Sequence, residues 1–223
     1  MKNLTEVVFI LDRSGSMTGL ESDTIGGFNS MIEKQKKSEG DVLISTILFD
    51  HESVVLHDRV PLADIQPMTD KDYETRGSTA LLDAIGDAIK HIKNVHKYAR
   101  EEDRPAKTLF VITTDGEENS SERFSYKEIK KLVEAQQEKG WEFIFMGANI
   151  DAISVASHMG IRASRAVNYH NDSRGTEKRF AAISSFMGAF AAAAPMGMPV
   201  DDEWRKELDE DFESRKKGKK DKK

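Results

Sequence analysis

Two patterns of apolar residues alternate along the chain. Short runs rich in valine, isoleucine and phenylalanine are separated by longer segments in which apolar residues recur every three or four positions. The short runs are typical of buried β-strands, and the longer pattern is typical of amphipathic helices. Their alternation predicts strands joined by crossover helices, which is the arrangement of a largely parallel sheet with helices on both faces.

The predicted elements follow this alternation along most of the chain. We expect strands at 6–12, 42–49, 53–60, 107–115, 141–148 and 164–169, and helices at 22–38, 79–99, 125–139, 150–159 and 173–194. Only residues 50–52 separate the second strand from the third, and such a short connection fits an antiparallel hairpin rather than a crossover. We therefore predict an α/β fold with a Rossmann-like open, mostly parallel central sheet of about six strands, one antiparallel edge strand, and helices on both faces.

The length of the chain suits one domain followed by a tail. A chain of 223 residues is long enough for one α/β domain with a substantial core. We expect a domain at 1–199 and a charged C-terminal extension at 200–223. Trp204, Leu208 and Phe212 have the spacing of apolar anchors on a short docked helix. From residue 215 the sequence is basic and has no apolar residue, so we expect no fixed structure there.

Composition and charge narrow the functional classes. The chain has 0 Cys, which excludes disulfides and thiolate metal sites and makes the cytoplasm the expected location. Residues 215–223 carry a local charge of +6, whereas the other 214 residues hold 26 basic and 38 acidic side chains and carry about −12. An acidic body argues against a nucleic-acid groove on the domain. We expect no signal peptide, because the N-terminal apolar stretch runs into Asp12 without a small-residue cleavage site. We expect no membrane span, because the Ala-rich stretch 181–194 fits a helix packed on the sheet or against another copy of the chain.

Two predicted strands carry candidate chemistry at their ends. The strands at 6–12 and 107–115 are the most apolar in the chain, and they end in Asp12 and Asp115. Strands buried on both faces lie at the centre of a sheet, so we expect these two to be neighbours. Ligands of open α/β sheets bind at the carboxyl ends of the strands. The two carboxylates should therefore lie side by side at that edge.

The residues after Asp12 add hydroxyl groups to the same edge. Asp12, Ser14 and Ser16 alternate, so their side chains can project to one side of an extended segment, and Gly15 lets the backbone turn. Thr79, just before a predicted helix, offers a third hydroxyl. Carboxylates and hydroxyls suit a hard divalent cation, and a small set of them suits Mg²⁺ better than Ca²⁺.

Each of these residues also has a purely structural explanation. Ser16 and Thr79 could cap helices, and an Asp-Gly pair such as the one at Asp115 is common in turns. Ser78 and Thr75 offer hydroxyls in place of that of Thr79. The coincidence of oxygen donors on three loops at one sheet edge favours a metal site. The predicted ligands are Asp12, Ser14, Ser16, Thr79 and Asp115.

These motifs resemble those of the von Willebrand factor type A family. The family signature is an Asp-x-Ser-x-Ser motif after the first strand, a Thr before a later helix, and an Asp, often followed by Gly, after the fourth strand. The corresponding residues here are Asp12-Arg13-Ser14-Gly15-Ser16, Thr79 and Asp115-Gly116, in the family order. The resemblance covers roughly residues 4–195 and includes the short hairpin between the second and third strands.

The resemblance implies a function. In that family the site is called the metal-ion-dependent adhesion site (MIDAS), and the bound ion is completed by an acidic side chain of a partner protein. The short, cysteine-free chain is more similar to the stand-alone intracellular bacterial and phage members than to an integrin or matrix domain. The resemblance implies a Mg²⁺-dependent protein–protein interaction module, with Mn²⁺ as a substitute ion, an Asp or Glu of a partner protein at the metal, and no catalysis.

A Mg²⁺-dependent phosphate-handling hydrolase is the alternative. Haloacid-dehalogenase-like phosphatases also place an Asp after the first strand of a Rossmann-like sheet, but they need a second carboxylate two residues later as a general acid. Ser14 stands at that position here, and a hydroxyl cannot fill this role at neutral pH.

Four further polar residues are expected at the same edge of the sheet. Glu117 and Glu118 follow Asp115 and either extend the metal site or belong to a solvated loop. Asn149 and Asp151 follow the fifth strand, and Asp151 is expected to begin the next helix. All four are candidates for shaping the partner surface.

Overall fold

The computed structural model of the protein describes residues 4–38, 40–193 and 200–220. The strands are β1 (Thr5–Asp12), β2 (Val42–Phe49), β3 (Ser53–Pro61), β4 (Lys107–Asp115), β5 (Glu142–Ala148) and β6 (Ala166–Tyr169). The α-helices are α1 (Glu21–Gln35), α2 (Leu81–Tyr98), α3 (Tyr126–Gln137), α4 (Ala152–His158), α5 (Ser173–Ala192) and α6 (Lys206–Lys220). Every predicted strand and the five helices predicted before residue 195 are present, with ends that shift by at most three residues.

The six strands form one sheet in the order β3-β2-β1-β4-β5-β6. β1 runs parallel to both β2 and β4, and β5 and β6 continue the parallel arrangement. β3 is antiparallel to β2 and lies at the edge. The predicted fold class is confirmed, as is the adjacency of the two most apolar strands. Because the chain builds the sheet in opposite directions from β1 and β4, the ligand crevice of this topology lies at the carboxyl ends of these two strands.

The sheet separates two apolar layers, since neighbouring residues of a strand point to opposite faces. Val7, Phe9 and Leu11 of β1 face the layer that includes residues of α1, α5 and α6. Val8 and Ile10 face the layer that includes residues of α2, α3 and α4. All residues of β1 and β4 are buried, so these strands hold their carboxyl ends in a fixed position at the sheet edge. The Ala-rich part of α5 lies in the first layer and packs on the sheet, as expected.

The C-terminal extension packs on the same layer as α5. Trp204 and Leu208 are buried there. Phe212 stacks on His170, with the ring centroids 4.7 Å apart. The predicted apolar anchors therefore dock this segment against the domain.

Helix α6 is longer than we expected. We expected no fixed structure from residue 215, but α6 continues through Lys220. The Arg215 guanidinium lies 3.0 Å from Oδ2 of Asp211, one helical turn earlier, and also bonds to Asp172 in the loop after β6. Such an i,i+4 pair and basic residues near the C-terminal end both stabilise a helix, and the composition of the tail did not reveal this tertiary contact.

Across residues 4–38, 40–193 and 200–220, no helix has both the length and the apolar character that a membrane span requires.

Candidate metal centre

The pairing of β1 with β4 brings two buried carboxylates together. Asp12 is 2% exposed at the end of β1, and Asp115 is 0% exposed at the end of β4. The Asp12 carboxylate accepts hydrogen bonds from the backbone N–H of Ser14 (2.7 Å), from Thr114 Oγ1 (2.8 Å) and from the backbone N–H of Asp115 (3.0 Å). These bonds fix the Asp12 side chain against the end of β4.

The loop after β1 places two hydroxyls at the same point. It passes through a single 3-10 turn, Gly15–Met17. The hydroxyl oxygens of Ser14 and Ser16 lie 3.1 Å apart, and the Ser16 hydroxyl donates to the backbone carbonyl of Asp115. Ser16 therefore connects the loop to β4 and does not act as a helix cap.

Gly15 allows a second loop to approach the first. Its N–H donates to the carbonyl of Gly77 at 3.1 Å, and the N–H of Arg76 donates to the carbonyl of Arg13 at 2.9 Å. A Cβ at residue 15 would lie only 3.3 Å from the Gly77 oxygen, and Gly77 itself has a φ of +66°. Glycine therefore suits both positions, and the segment 75–80 lies directly against the segment 13–16.

Thr79 belongs to this second loop. It is buried, its N–H donates to Asn119 Oδ1 at 2.9 Å, and its carbonyl accepts from the Asn119 N–H at 3.1 Å. Helix α2 begins at Leu81 with Ala80 as its N-cap, so Thr79 does not cap this helix. The structure thus links Asp12, Ser14, Ser16 and Asp115 by direct hydrogen bonds and holds Thr79 in the loop that bonds to theirs.

Asp115 has an unusual electrostatic environment. Burial raises its pKa to about 6, and the charge of Asp12 acts in the same direction. The side-chain amides of Asn149 and Asn171 donate to its two carboxylate oxygens, and these bonds and the charge of Arg179 offset the rise in pKa only in part. The charge of Asp12 disfavours ionisation of Asp115, and a nearby cation would favour it.

The donor set fits a hard divalent cation. Among the described residues, neither Asp12 nor Asp115 forms an ion pair with a Lys, Arg or His side chain. The side-chain atoms that could bind a metal at this point are carboxylate and hydroxyl oxygens, which Mg²⁺ and Mn²⁺ prefer as ligands. A carboxylate oxygen that accepts one hydrogen bond still has a lone pair free for a metal.

A second acidic cluster at this edge is less suitable for a cation. Asp50, His51 and Glu52 offer ligand atoms within 4.8 Å of one another. However, Oδ2 of Asp50 lies 2.8 Å from Nε of Arg13 and 3.0 Å from Nε of Arg76. Two guanidinium groups already neutralise this carboxylate, so the cluster is an ion-pair network.

Other polar residues at this edge have structural partners. Glu118 accepts hydrogen bonds from the N–H groups of Leu82 (2.9 Å) and Ser121 (2.7 Å) and so caps the start of α2. Asp151 accepts from the Ser154 N–H at 3.0 Å and caps α4, as expected for the acid that begins this helix. Glu117 is exposed.

The sequence did not reveal several residues that support the centre. The Tyr73 hydroxyl donates to the backbone carbonyl of Asp12, and the Tyr169 hydroxyl donates to the carbonyl of Thr114 at 3.3 Å. Asn171 follows β6 as Asp12 ends β1, so the rule that polar residues gather at strand ends could have identified it. Tyr73 lies in a segment without regular secondary structure and carries no comparable signal.

Comparisons with known proteins show which family has this architecture. A family model, the von Willebrand factor type A domain, matches residues 6–177. No curated protein sequence matches the chain.

Solved structures with this fold come from distant proteins. The vWF domain of the type V pili tip protein Mfa5 from Porphyromonas gingivalis is 11% identical, with a TM-score of 0.61 over 88% of this chain and 99% of that chain. The mussel byssus proximal thread matrix protein 1 with a zinc-occupied MIDAS motif is 12% identical, with a TM-score of 0.54 over 84% of this chain and 46% of that chain. The manganese-loaded TRAP protein of Plasmodium vivax is 16% identical, with a TM-score of 0.54 over 78% of this chain and 72% of that chain.

These likenesses show that the chain has an open α/β fold shared with these domains. At such low identity the structures show the fold alone, and the chain spans about half the length of the mussel protein. The family model covers well over half of the sequence. The chain therefore belongs to the von Willebrand factor type A domain family.

Proposed function

We propose that this domain binds a divalent cation, Mg²⁺ with Mn²⁺ as a substitute, and uses it to dock an acidic side chain of a partner protein. The proposed ligands are the five residues predicted from the sequence. They are Asp12, Ser14, Ser16, Thr79 and Asp115.

One observation carries the proposal: two buried carboxylates lie beside two hydroxyls at the carboxyl ends of β1 and β4. Asp12 and Asp115 are connected by a hydrogen bond of 3.0 Å, and neither pairs with a basic side chain within the described part of the chain. Burying carboxylates without a cationic partner is costly. A bound divalent cation would provide positive charge next to both carboxylates.

The ligand chemistry suggests what such a cation would recognise. When bound, it would supply a Lewis-acidic point that attracts an anion. Ser14, Ser16 and Thr79 are neutral donors, so only the two carboxylates would compensate its charge. Gly15, Ser16 and Gly77 are exposed at this edge, which leaves the site accessible to a partner's side chain. An Asp or Glu of another protein fits both the charge and the access.

Two relatives in fold support a metal at this position. The mussel structure has a zinc-occupied MIDAS motif, and the Plasmodium protein is manganese-loaded. We propose Mg²⁺ for this chain because its donors are oxygen atoms only.

A Mg²⁺-dependent phosphate hydrolase is less well supported, so we propose a binding module without catalysis. The second position after Asp12, where such an enzyme needs a general acid, holds Ser14. The Ser14 side chain lies beside the Ser16 hydroxyl. We also propose a cytoplasmic location, because a chain with 0 Cys needs no oxidising compartment.

Affinity capture tests the docking mechanism. The immobilised protein should retain a partner in Mg²⁺ and release it on chelation. Thr79→Ala should weaken binding of the recovered partner, because it removes a proposed metal ligand. Loss of the partner's own metal-bound carboxylate should weaken binding by about thirtyfold or more, because a metal-bridged carboxylate behaves as a binding hot spot. Ser78→Ala is the matched control and should bind like the wild type. Acidic residues of the partner are then replaced one at a time, and one of them should be essential.

Partner binding that persists in chelator and in every acidic variant of the partner would contradict docking through a metal. Equal losses in Thr79→Ala and Ser78→Ala would contradict the assignment of Thr79.

A further inference from the structure

A buried arginine lies behind the candidate metal centre. Arg179 of α5 is 1% exposed. Its Nη1 donates to the Tyr169 hydroxyl at 2.9 Å, and its guanidinium carbon lies 5.0 Å from the centre of the Tyr169 ring and 4.6 Å from that of Phe180. Within the described residues, its Nε and Nη2 are buried without a hydrogen-bond partner. The arginine is therefore a buried charge whose immediate neighbours are aromatic.

A short series of hydrogen bonds connects this arginine to the carboxylates. Arg179 bonds to the Tyr169 hydroxyl, which donates to the backbone carbonyl of Thr114 at 3.3 Å. The side chain of Thr114 donates to Oδ2 of Asp12 at 2.8 Å, and the next residue along β4 is Asp115. The two carboxylates and the guanidinium thus belong to one buried polar cluster.

The opposite charges of this cluster stabilise one another. A buried guanidinium is strongly unfavourable unless negative charge lies close by. Arg179 forms no ion pair with an Asp or Glu among the described residues, and the same holds for Asp12 and Asp115 with basic side chains. Electrostatic attraction in a buried cluster extends beyond direct contact, since water does not screen it.

We propose that Arg179 is the fixed counter-ion of Asp12 and Asp115 and that it weakens cation binding until an acidic partner is bound. This inference rests on the proposed function of the site and adds a means of regulating it. Two carboxylates and one guanidinium leave one net negative charge without a metal. A divalent cation alone would turn this into one net positive charge beside the buried side chains. A carboxylate from a partner would then restore neutrality.

The charge count predicts cooperative binding. Arg179 repels the cation, so the metal alone binds weakly, and each of the metal and the acidic partner strengthens the binding of the other. A site with Asp12 and Asp115 alone would be neutral with the metal and would hold it without a partner.

The test uses the variants Arg179→Met and Arg179→Gln with no partner present. Mn²⁺ binding is measured by electron paramagnetic resonance, and thermal stability is measured separately. Both neutral variants should bind Mn²⁺ about tenfold more tightly than the wild type, because the repulsion is removed. A folded Arg179→Lys variant that keeps the positive charge should bind Mn²⁺ with an affinity within about twofold of the wild type, because the repulsion of the cation is retained.

The metal-free neutral variants should melt at a lower temperature than the wild type, and Mn²⁺ should raise their melting temperature by more than it raises that of the wild type. Arg165→Met is the matched control. Arg165 is also buried, but it lies 3.3 Å from Glu142. Its loss should lower stability and leave the Mn²⁺ affinity unchanged.

The outcomes separate this inference from the proposed function. If neither the wild type nor a folded neutral variant binds Mn²⁺, both are contradicted. If the wild type binds Mn²⁺ and a folded neutral variant binds it no more tightly, only the role of Arg179 is contradicted. If neither neutral variant folds without metal, recovery of folding in millimolar Mn²⁺ supports the counter-ion role, and failure to recover overturns it.

Discussion

Glu117 and Glu118 are adjacent acidic residues with different surroundings. Oε1 of Glu118 accepts from the N–H groups of Ser120 (2.9 Å) and Ser121 (2.7 Å), and Oε2 accepts from the N–H of Leu82 (2.9 Å). Glu117 is exposed. Glu118 therefore connects the loop after β4 to the start of α2, next to Thr79.

A matched pair of substitutions distinguishes a structural role of Glu118 from a metal-binding role. Glu118→Gln puts an N–H donor where the loop needs an acceptor, so it should reduce the free energy of unfolding by about 1–2 kcal/mol in a denaturant titration. The rise in melting temperature caused by Mn²⁺ should be as large as in the wild type. Glu117→Gln should change neither quantity. Loss of the Mn²⁺ effect in a folded Glu118→Gln variant would place Glu118 in the metal site.

The residues of the candidate centre differ in how far local sequence reveals them. Asp12, Ser14 and Ser16 lie within five consecutive residues, and Asp115 closes an apolar strand, so strand-end chemistry alone identifies them. The position of Arg179 near the two carboxylates depends on the packing of α5 against the sheet. No local pattern encodes that contact, because it joins segments that are far apart in the chain.

Secondary structure elements could be predicted where the pattern of buried residues repeats regularly along the chain. Strands such as β1 and β4 are buried along their whole length, and their apolar runs reveal their limits. Helix α2 shows its apolar stripe at helical spacing and begins within two residues of its predicted start. Helix α6 was predicted only as a short docked segment, because its last turns depend on contacts with the loop after β6.

Arg215, in the last turns of α6, is expected to contribute to the stability of the protein. The side chain of Asp211 is 2% exposed and is paired with Arg174 (2.7 Å) and Arg215 (3.0 Å). Arg215→Ala removes one partner from this carboxylate and also from Asp172, so it should destabilise the protein by about 1 kcal/mol. Lys216→Ala, one residue further, should change stability by less than about 0.5 kcal/mol.

Thermal or chemical denaturation of the full chain and of a chain that ends at Lys216 completes this test. The shortened chain should be as stable as the full chain, because residues 217–223 contain no apolar side chain. Equal stabilities of Arg215→Ala and Lys216→Ala would contradict the role assigned to Arg215.

At the scale of the whole molecule, the order of the strands creates the centre. β1 begins one half of the sheet and β4 begins the other, so the loops that follow them meet at one point. The loops at Thr79, Asn149 and Asn171 converge on the same edge. The fold class and this convergence follow from the alternation of strands and helices, whereas the identity of a partner depends on surface chemistry that the fold does not encode.

The most direct test of the account is the stoichiometry of Mn²⁺ binding at pH 7.5, measured by electron paramagnetic resonance on the full chain. This pH lies above the pKa of Asp115, which burial raises to about 6, so the Asp115 carboxyl group is mainly ionised. A metal centre at this position predicts one ion per wild-type chain at saturating Mn²⁺, none for a folded Asp12→Ala variant, and one for Asp151→Ala, because Asp151 caps α4. Binding of one ion with unchanged affinity by Asp12→Ala would contradict a metal centre at the end of β1 and β4.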